Sequence, residues 1–327
     1  MYSYLFLTQS TVVASRSVPM ANHRRWVSVT AALFLSAGSA TSGAESIKGE
    51  LPSSLGTLAG KAQMPVNLNF SGEFAGQPFN CTDEFAGVGQ TAATVSVSDY
   101  KLFVSNVRMI ELDGNESPVT LTDDGVWQQS DVGLLDFETG DGNCTNGTAQ
   151  TNTALIGSVE IGEYVGVAFD IGVPFNKNHA DPTLAASPMN LTSMFWNWRG
   201  GYRFMRVDLA VSDRVMEHGS EHQSGHGGGR GWSLHVGSTG CEGLSPTMAP
   251  KSCANGNRIS VTFEDFNQAT NTLVIDPAGA LTQVDVTSNT PETAPGCMSA
   301  PTDPECVAVF TELGLINSAS QRLVQVR

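Results

Sequence analysis

The sequence has no hydrophobic run long enough to cross a membrane. Its longest apolar stretch, Trp26 to Ala37, has about a dozen residues, whereas a transmembrane helix needs about 20. The stretch follows Arg24 and Arg25 and ends in small residues, an order typical of a secretory leader. We therefore predict a cleavable signal peptide over residues 1–44, with Met20 favoured as the start. The alternative, a retained membrane anchor, is disfavoured by the short run.

The sequence also lacks the signatures of the common catalytic sites. It has no G-x-S-x-G nucleophile elbow, no H-E-x-x-H metalloprotease helix and no glycine loop that would cradle a phosphate. These absences disfavour a secreted hydrolase. We predict a protein that is not an enzyme.

Basic residues are few. The chain carries 17 Lys and Arg against 32 Asp and Glu, a net charge of -15. Nucleic-acid binding requires a basic face that neutralises phosphates, so this charge argues against such a partner. It is compatible with binding cations or a basic partner.

The six cysteines include no C-x-x-C pair of the kind that holds metal ions. An even number of cysteines in an exported chain predicts disulfides, since oxidising compartments favour pairing. Six cysteines allow fifteen connectivities. Their spacing favours three pairs: Cys81 with Cys144, Cys241 with Cys253, and Cys297 with Cys306.

Alternation of apolar and polar residues is the main structural signal that is present. It predicts half-buried strands at 66–70 and 94–98, and further strands at 100–110, 119–121, 158–161, 164–171, 202–211, 233–236, 259–263 and 272–275. Many short strands separated by Gly- and Asp-rich turns are typical of a β-sandwich. We predict an all-β fold, a disulfide-stapled antiparallel β-sandwich forming one domain over residues 64–327. A short helix at 307–315 would follow in the C-terminal segment, and residues 45–63 would be a flexible mature N-terminus.

Two tryptophans and two histidines are the main candidates for chemistry. Trp196 and Trp198 stand two residues apart, which places them on one face of a strand, and the following Gly-Gly step allows a turn. Core packing is the simpler interpretation of such aromatics. His179 and His235 are candidate copper ligands because imidazole binds transition metals, although a hydrogen-bonded structural role is the simpler interpretation of each.

A third group of histidines lies in a glycine-rich segment. His218, His222 and His226 recur every four residues, but the neighbouring glycines argue against a stable helix. His-rich tracts bind metals through composition alone, so we predict a weak secondary metal site. An accidental solvated loop is the alternative.

Taken together, these motifs resemble the MbnP-like family, the four-Cys-motif proteins of the metallo-mystery pair system. The similarity lies in six strings that occur in order: 99–105, 134–137, 172–176 with His179, 194–204, 235–241, and 296–298 with Cys306. They span nearly the whole chain after the leader. Each string alone is weak, but six in order are specific.

The resemblance implies a periplasmic β-sandwich that takes part in copper homeostasis. The partner it implies is a di-haem enzyme of the MauG and cytochrome c peroxidase type, which oxidises a tryptophan to kynurenine. The implied copper ligands are His179, His235 and the oxidised residue, which is Trp196 or Trp198. The competing class is an exported structural or adhesive β-sandwich without a specific metal site.

Overall fold

The computed structural model describes residues 61–129, 131–145, 147–197, 199–212, 231–243, 248–317 and 320–327. Twenty strands lie in these ranges. In chain order they are β1 Gln63–Phe74, β2 Gln77–Pro78, β3 Glu84–Val88, β4 Ala93–Glu111, β5 Glu116–Pro118, β6 Thr120–Leu121, β7 Gln128–Gln129, β8 Val132–Asp136, β9 Ala154–Glu160, β10 Tyr164–Ile171, β11 Phe195–Asn197, β12 Gly201–Tyr202, β13 Met205–Val211, β14 Gly231–Val236, β15 Thr239–Glu242, β16 Ser252–Asn255, β17 Ile259–Phe263, β18 Leu273–Ile275, β19 Gly296–Cys297 and β20 Val324–Val326.

These strands form two large sheets and two small ribbons. Of the two large sheets, the one with fewer strands has the order β20-β18-β1-β9-β6. The larger sheet has the order β17-β10-β4-β13-β14-β19. Strands β11 and β12 make one ribbon, and β15 and β16 make the other. Most pairings are antiparallel, as predicted, but β1 with β18 and β14 with β19 are parallel. The fold is a β-sandwich.

The main core lies between the two large sheets. Leu68 and Phe70 of β1 face Val95, Tyr100 and Phe169 of the larger sheet in one buried apolar cluster. Because successive side chains of a strand point to opposite faces, each strand of the larger sheet also presents a second, outer face. Leu102 belongs to the main core, whereas its neighbour Phe103 belongs to a separate cluster on that outer face.

Strand β4 corrects the prediction of two strands at 94–98 and 100–110, because it continues through both. Its pairing with β13 shifts register between Asp208 and Leu209, which lie opposite Asp99 and Val97. This is a β-bulge, and the extra residue lets both Val97 and Tyr100 face the main core. The polar residues at this bulge interrupt the alternation of apolar and polar residues, but the strand continues through them.

The predicted strand 202–211 is in fact divided between β12 and β13. Residues 203 and 204 lie between them and belong to neither strand, although the backbone of Phe204 forms hydrogen bonds with Phe103 and Val236. The described part of the chain contains two α-helices, α1 Phe175–Asn178 and α2 Pro304–Glu312, and two 3-10 helices, Thr192–Met194 and Pro277–Leu281. None of the helices in these described ranges is long and apolar enough to span a bilayer.

The C-terminal helix starts earlier than predicted. Helix α2 begins at Pro304 rather than at Val307, because Asp303 caps it by accepting a hydrogen bond from the backbone N–H of Glu305. Proline suits the first helical position, where no backbone donor is needed. Val309, Phe310 and Leu313 of this segment join the main core.

Three disulfides join the same pairs that the spacing favours: Cys81–Cys144, Cys241–Cys253 and Cys297–Cys306. The first and third pairs are buried, with at most 2% of any of the four residues exposed. The Cys241–Cys253 pair is half-buried and links directly opposed residues of β15 and β16.

Candidate metal centre

The candidate residues gather at the outer face of the larger sheet. Between β10 and β13 the chain leaves the sheet and covers this face, packing Met189, Met194 and Tyr202 against Phe103 and Leu134. The Tyr202 hydroxyl donates a hydrogen bond to the Met189 carbonyl. We call residues 173–204 the covering segment. It excludes water from the strand residues beneath it.

Trp196 lies in the β11–β12 ribbon of the covering segment. Its ring packs against the backbone of Gly237, where a Cβ atom would lie only 2.5 Å from the ring carbon Cζ3. The guanidinium of Arg203 lies 5.5 Å from the centre of the same ring, within the range of a cation–π contact. The ring is therefore held between Arg203 and the chain just after β14.

His235 is buried in β14, with 5% of its surface exposed. Its Nε2 lies 2.7 Å from Asp208 Oδ1 on the neighbouring strand β13. Burial lowers the pKa of His235 despite the nearby carboxylate, so the imidazole is neutral at neutral pH. Because an ionised carboxylate only accepts, Nε2 carries the ring proton and Nδ1 keeps a lone pair. That Nδ1 is buried and has no hydrogen-bond partner among the residues that the structure describes.

Asp208 is held as an anion by its other contacts. Arg206 pairs with it at 2.8 Å, and the Ser233 hydroxyl donates to it at 2.7 Å. Burial opposes its ionisation, but the hydrogen bond from His235 and the charge of Arg206 lower the pKa of Asp208 below its ordinary value. The carboxylate therefore orients the His235 ring, as carboxylates do behind the histidine ligands of metal sites.

A buried charge network continues from Arg206 along β4. Arg206 contacts Asp99 at 3.1 Å, and Asp99 lies 3.6 Å from Lys101. Lys101 also pairs with Glu138 and approaches Asp136. Burial, partly offset by Lys101 and Arg206, raises the pKa of Asp99 to about 7, and burial raises that of Asp136 to about 6. The network therefore places buried charges on the same face of β4 as the apolar side chain of Phe103.

His179 follows helix α1 and is buried. Asn178 Nδ2 lies 3.2 Å from His179 Nε2 and 3.3 Å from the Ser238 hydroxyl. Its Oδ1 accepts a hydrogen bond from the backbone N–H of Tyr202 at 2.8 Å. Gly201 makes room for this contact, since a Cβ there would lie within 2.6 Å of three Asn178 atoms and its φ is +73°.

The Cys241–Cys253 disulfide is a second neighbour of His179. Its Cys253 Sγ lies 3.4 Å from His179 Nε2. The imidazole nitrogen and the two sulfurs all lie within 4.8 Å of one another. The ring of Phe175 meets the imidazole edge to face, with 5.1 Å between centres.

The structure thus brings two of the candidate residues, and the neighbour of a third, to one short segment, 235–238. His235 begins it, Trp196 packs on Gly237, and the neighbour of His179 contacts Ser238. Trp198 and the histidines His218, His222 and His226 lie outside the described residues.

The polar residues behind the candidate ligands were not found by sequence reasoning. Asp208 and Arg206 alternate along a strand that was predicted correctly in most of its length, so charged residues on the face opposite Val207 and Leu209 were a usable signal. No sequence pattern identifies Asn178, because its role depends on contacts with residues 24 and 60 positions away.

Comparison with known proteins places this arrangement in a family. The family model MbnP matches residues 63–299, which include every strand from β1 to β19. No curated protein matches the sequence. Among solved structures, MbnP from Methylosinus trichosporium is similar with a TM-score of 0.69 and 28% sequence identity, over 81% of this chain and 98% of that one. The chain belongs to the MbnP family.

Proposed function

We propose that this protein is an exported, periplasmic copper-binding protein of copper homeostasis and has no catalytic residues of its own. Its copper site would use His179, His235 and a tryptophan that a di-haem partner enzyme oxidises to kynurenine. The Asp208–His235 pair supports this most directly. It leaves a neutral imidazole with one buried, unpartnered nitrogen, which is what a transition-metal ligand requires.

The donor chemistry of the candidate residues fits copper. Imidazole is a ligand of intermediate softness that suits copper, but two imidazoles alone leave the coordination of the metal incomplete. An intact indole cannot complete it, since its nitrogen only donates. Kynurenine would supply an aromatic amine and a ketone, both of which offer lone pairs to a metal.

The position of Trp196 suits a residue that is modified and then binds metal. It is only half-buried, so a partner enzyme can approach it, while its ring already lies on Gly237, two residues after His235. Arg203 over the ring would hold the aromatic group in place during the change. We therefore propose Trp196 as the oxidised residue, with Trp198 as the alternative that the experiment must separate.

The test compares protein made with and without the di-haem partner. With the partner, peptide mapping should show the mass change of kynurenine formation at Trp196, and copper affinity should rise. The Trp198→Phe variant should keep both effects, and Trp196→Phe should lose both. Replacing His179 or His235 should weaken copper binding while the oxidised residue still forms.

Two results would overturn the proposal. If copper-loaded active protein carries both tryptophans unmodified, the kynurenine mechanism does not apply here. If neither preparation binds copper tightly, the structural or adhesive β-sandwich becomes the better interpretation. The histidines at 218, 222 and 226 are proposed as auxiliary, so replacing all three should leave the tightest site intact.

A further inference from the structure

The Cys241–Cys253 disulfide differs from the other two in its surroundings. The other four cysteines are buried, whereas this pair is only partly buried and lies in a ribbon of two strands that pairs with no other sheet among the described residues. Exposed disulfides are generally more reducible than buried ones, because a reductant must reach the sulfur. Of the three, this one is therefore the most accessible to a thiol.

The disulfide also lies beside an imidazole. His179 Nε2 accepts from Asn178 Nδ2, so it holds a lone pair, and it lies 3.4 Å from Cys253 Sγ. Because both sulfurs and an imidazole nitrogen lie within 4.8 Å of one another, one ion could contact all three residues at ordinary ligand distances of about 2.0–2.3 Å. Only the bond between the two sulfurs prevents their use as ligands.

We propose that Cys241, Cys253 and His179 form a second metal site that opens when the disulfide is reduced and that takes a thiophilic ion, cuprous copper. The site goes beyond the copper centre proposed above and needs no oxidised tryptophan. Thiolates are soft ligands that select Cu(I), and an imidazole completes a three-coordinate set. The redox state of one disulfide then decides whether His179 has soft partners.

The opening step is thiol–disulfide exchange with a dithiol reductant. One thiolate of the reductant attacks Cys241 Sγ, and the electron pair of the broken bond goes to Cys253 Sγ. The second thiolate of the reductant then closes its own disulfide and releases Cys241. The cysteines gain two electrons and two protons, and the reductant is oxidised to a disulfide.

The first measurement is graded reduction of the full chain, produced without the di-haem partner, followed by alkylation and peptide mapping. Cys241 and Cys253 should be labelled at reductant concentrations that leave the other four cysteines oxidised. Simultaneous labelling, or earlier labelling of a buried pair, would overturn the proposal.

The second measurement titrates the partly reduced protein with Cu(I) against a chromophoric chelator under anaerobic conditions. Reduction should add about one equivalent of bound Cu(I) to the wild-type protein, and this equivalent should be absent from a Cys241→Ser, Cys253→Ser variant. His179→Ala should weaken it, whereas Asn255→Ala, a control in the same ribbon whose side chain donates a hydrogen bond to Thr239, should retain it. Equal binding before and after reduction would overturn the site.

This design separates the site from the proposed function. Because the protein is prepared without the oxidising partner, failure of tryptophan oxidation cannot affect the result. Unchanged affinity in His179→Ala would remove the imidazole from the site. Circular dichroism of the double-serine variant shows whether it is folded, and the alkylation pattern of the wild type tests accessibility whatever that variant does.

Discussion

At the scale of single residues, the contact between Asp208 and His235 carries the most chemistry. Replacing Asp208 with Asn should weaken copper binding about 10- to 100-fold in protein co-expressed with the partner, because the imidazole loses the anion that fixes its tautomer and orientation. Competition titration measures the effect. The matched control is Asp170→Asn, which alters a buried aspartate of β10 that contacts Asn106 and Ser260 instead. Equal losses in both variants would mean a general effect on the fold.

Asp99 should make the stability of the metal-free protein depend on pH. Its pKa is raised from 3.8 to about 7, so the folded state holds a proton that the unfolded state has already released. Stability is therefore greatest below pH 4 for this group and falls as the pH rises towards 7. Across that window the contribution of Asp99 to the free energy of unfolding should fall by ~1 kcal/mol or more.

The Asp99→Asn variant tests this directly by urea unfolding at several pH values. In the variant, the decline in the free energy of unfolding that Asp99 causes between pH 6 and pH 7 should be absent. A decline at lower pH should remain, because the pKa of Asp136 is raised to about 6. If the difference in stability between the wild type and the variant does not change between pH 4 and pH 7, the assignment is wrong.

At the scale of elements, the β11–β12 ribbon depends on a close approach to β14. Gly237→Ala should cost about 1–3 kcal/mol of stability and displace the Trp196 ring, because the new Cβ would clash with it. Copper binding should weaken as well, because the Trp196 ring is displaced. Gly256→Ala is the matched control, since a Cβ there meets nothing within 4 Å. Thermal unfolding and tryptophan fluorescence compare the two variants.

Strands with a clean alternation could be predicted from sequence, and irregular ones could not. The strands at 164–171 and 259–263 were predicted to the residue, because their apolar pattern ends where their pairing ends. Strand β4 was divided in the prediction because a bulge and a turn break the alternation in the same way. The short edge strands β15, β16 and β20 have too few residues to show a period.

In the candidate site, too, some features could be predicted from the sequence and others could not. His179, His235 and Trp196 could be named from motifs in the sequence, since each stands in a recognisable string. Their supporting contacts could not, because Asp208 meets His235 through strand register and Asn178 meets Tyr202 and Ser238 through the path of the covering segment. Register and path are properties of the folded chain, which no local pattern encodes.

At the scale of the whole molecule, the buried disulfides should contribute to stability according to the loops they close. The Cys81–Cys144 bond closes a separation of 63 residues and Cys297–Cys306 one of 9. In the chain-entropy model these loops are worth roughly 4 and roughly 2.6 kcal/mol, because the longer loop removes more freedom from the unfolded chain. Both pairs could be predicted from the spacing of the cysteines along the sequence, because that spacing can be read without knowing the strand register.

The two buried pairs are a matched set, because all four cysteines have at most 2% of their surface exposed. Replacing both cysteines with alanine in each pair should therefore cost similar amounts in lost packing, and the difference between the double variants should report loop closure. We expect Cys81→Ala with Cys144→Ala to be the less stable by about 1–2 kcal/mol in urea unfolding. A larger loss for the Cys297 and Cys306 variant would show that this bond acts mainly by holding helix α2 on the core, where Val309 and Phe310 pack.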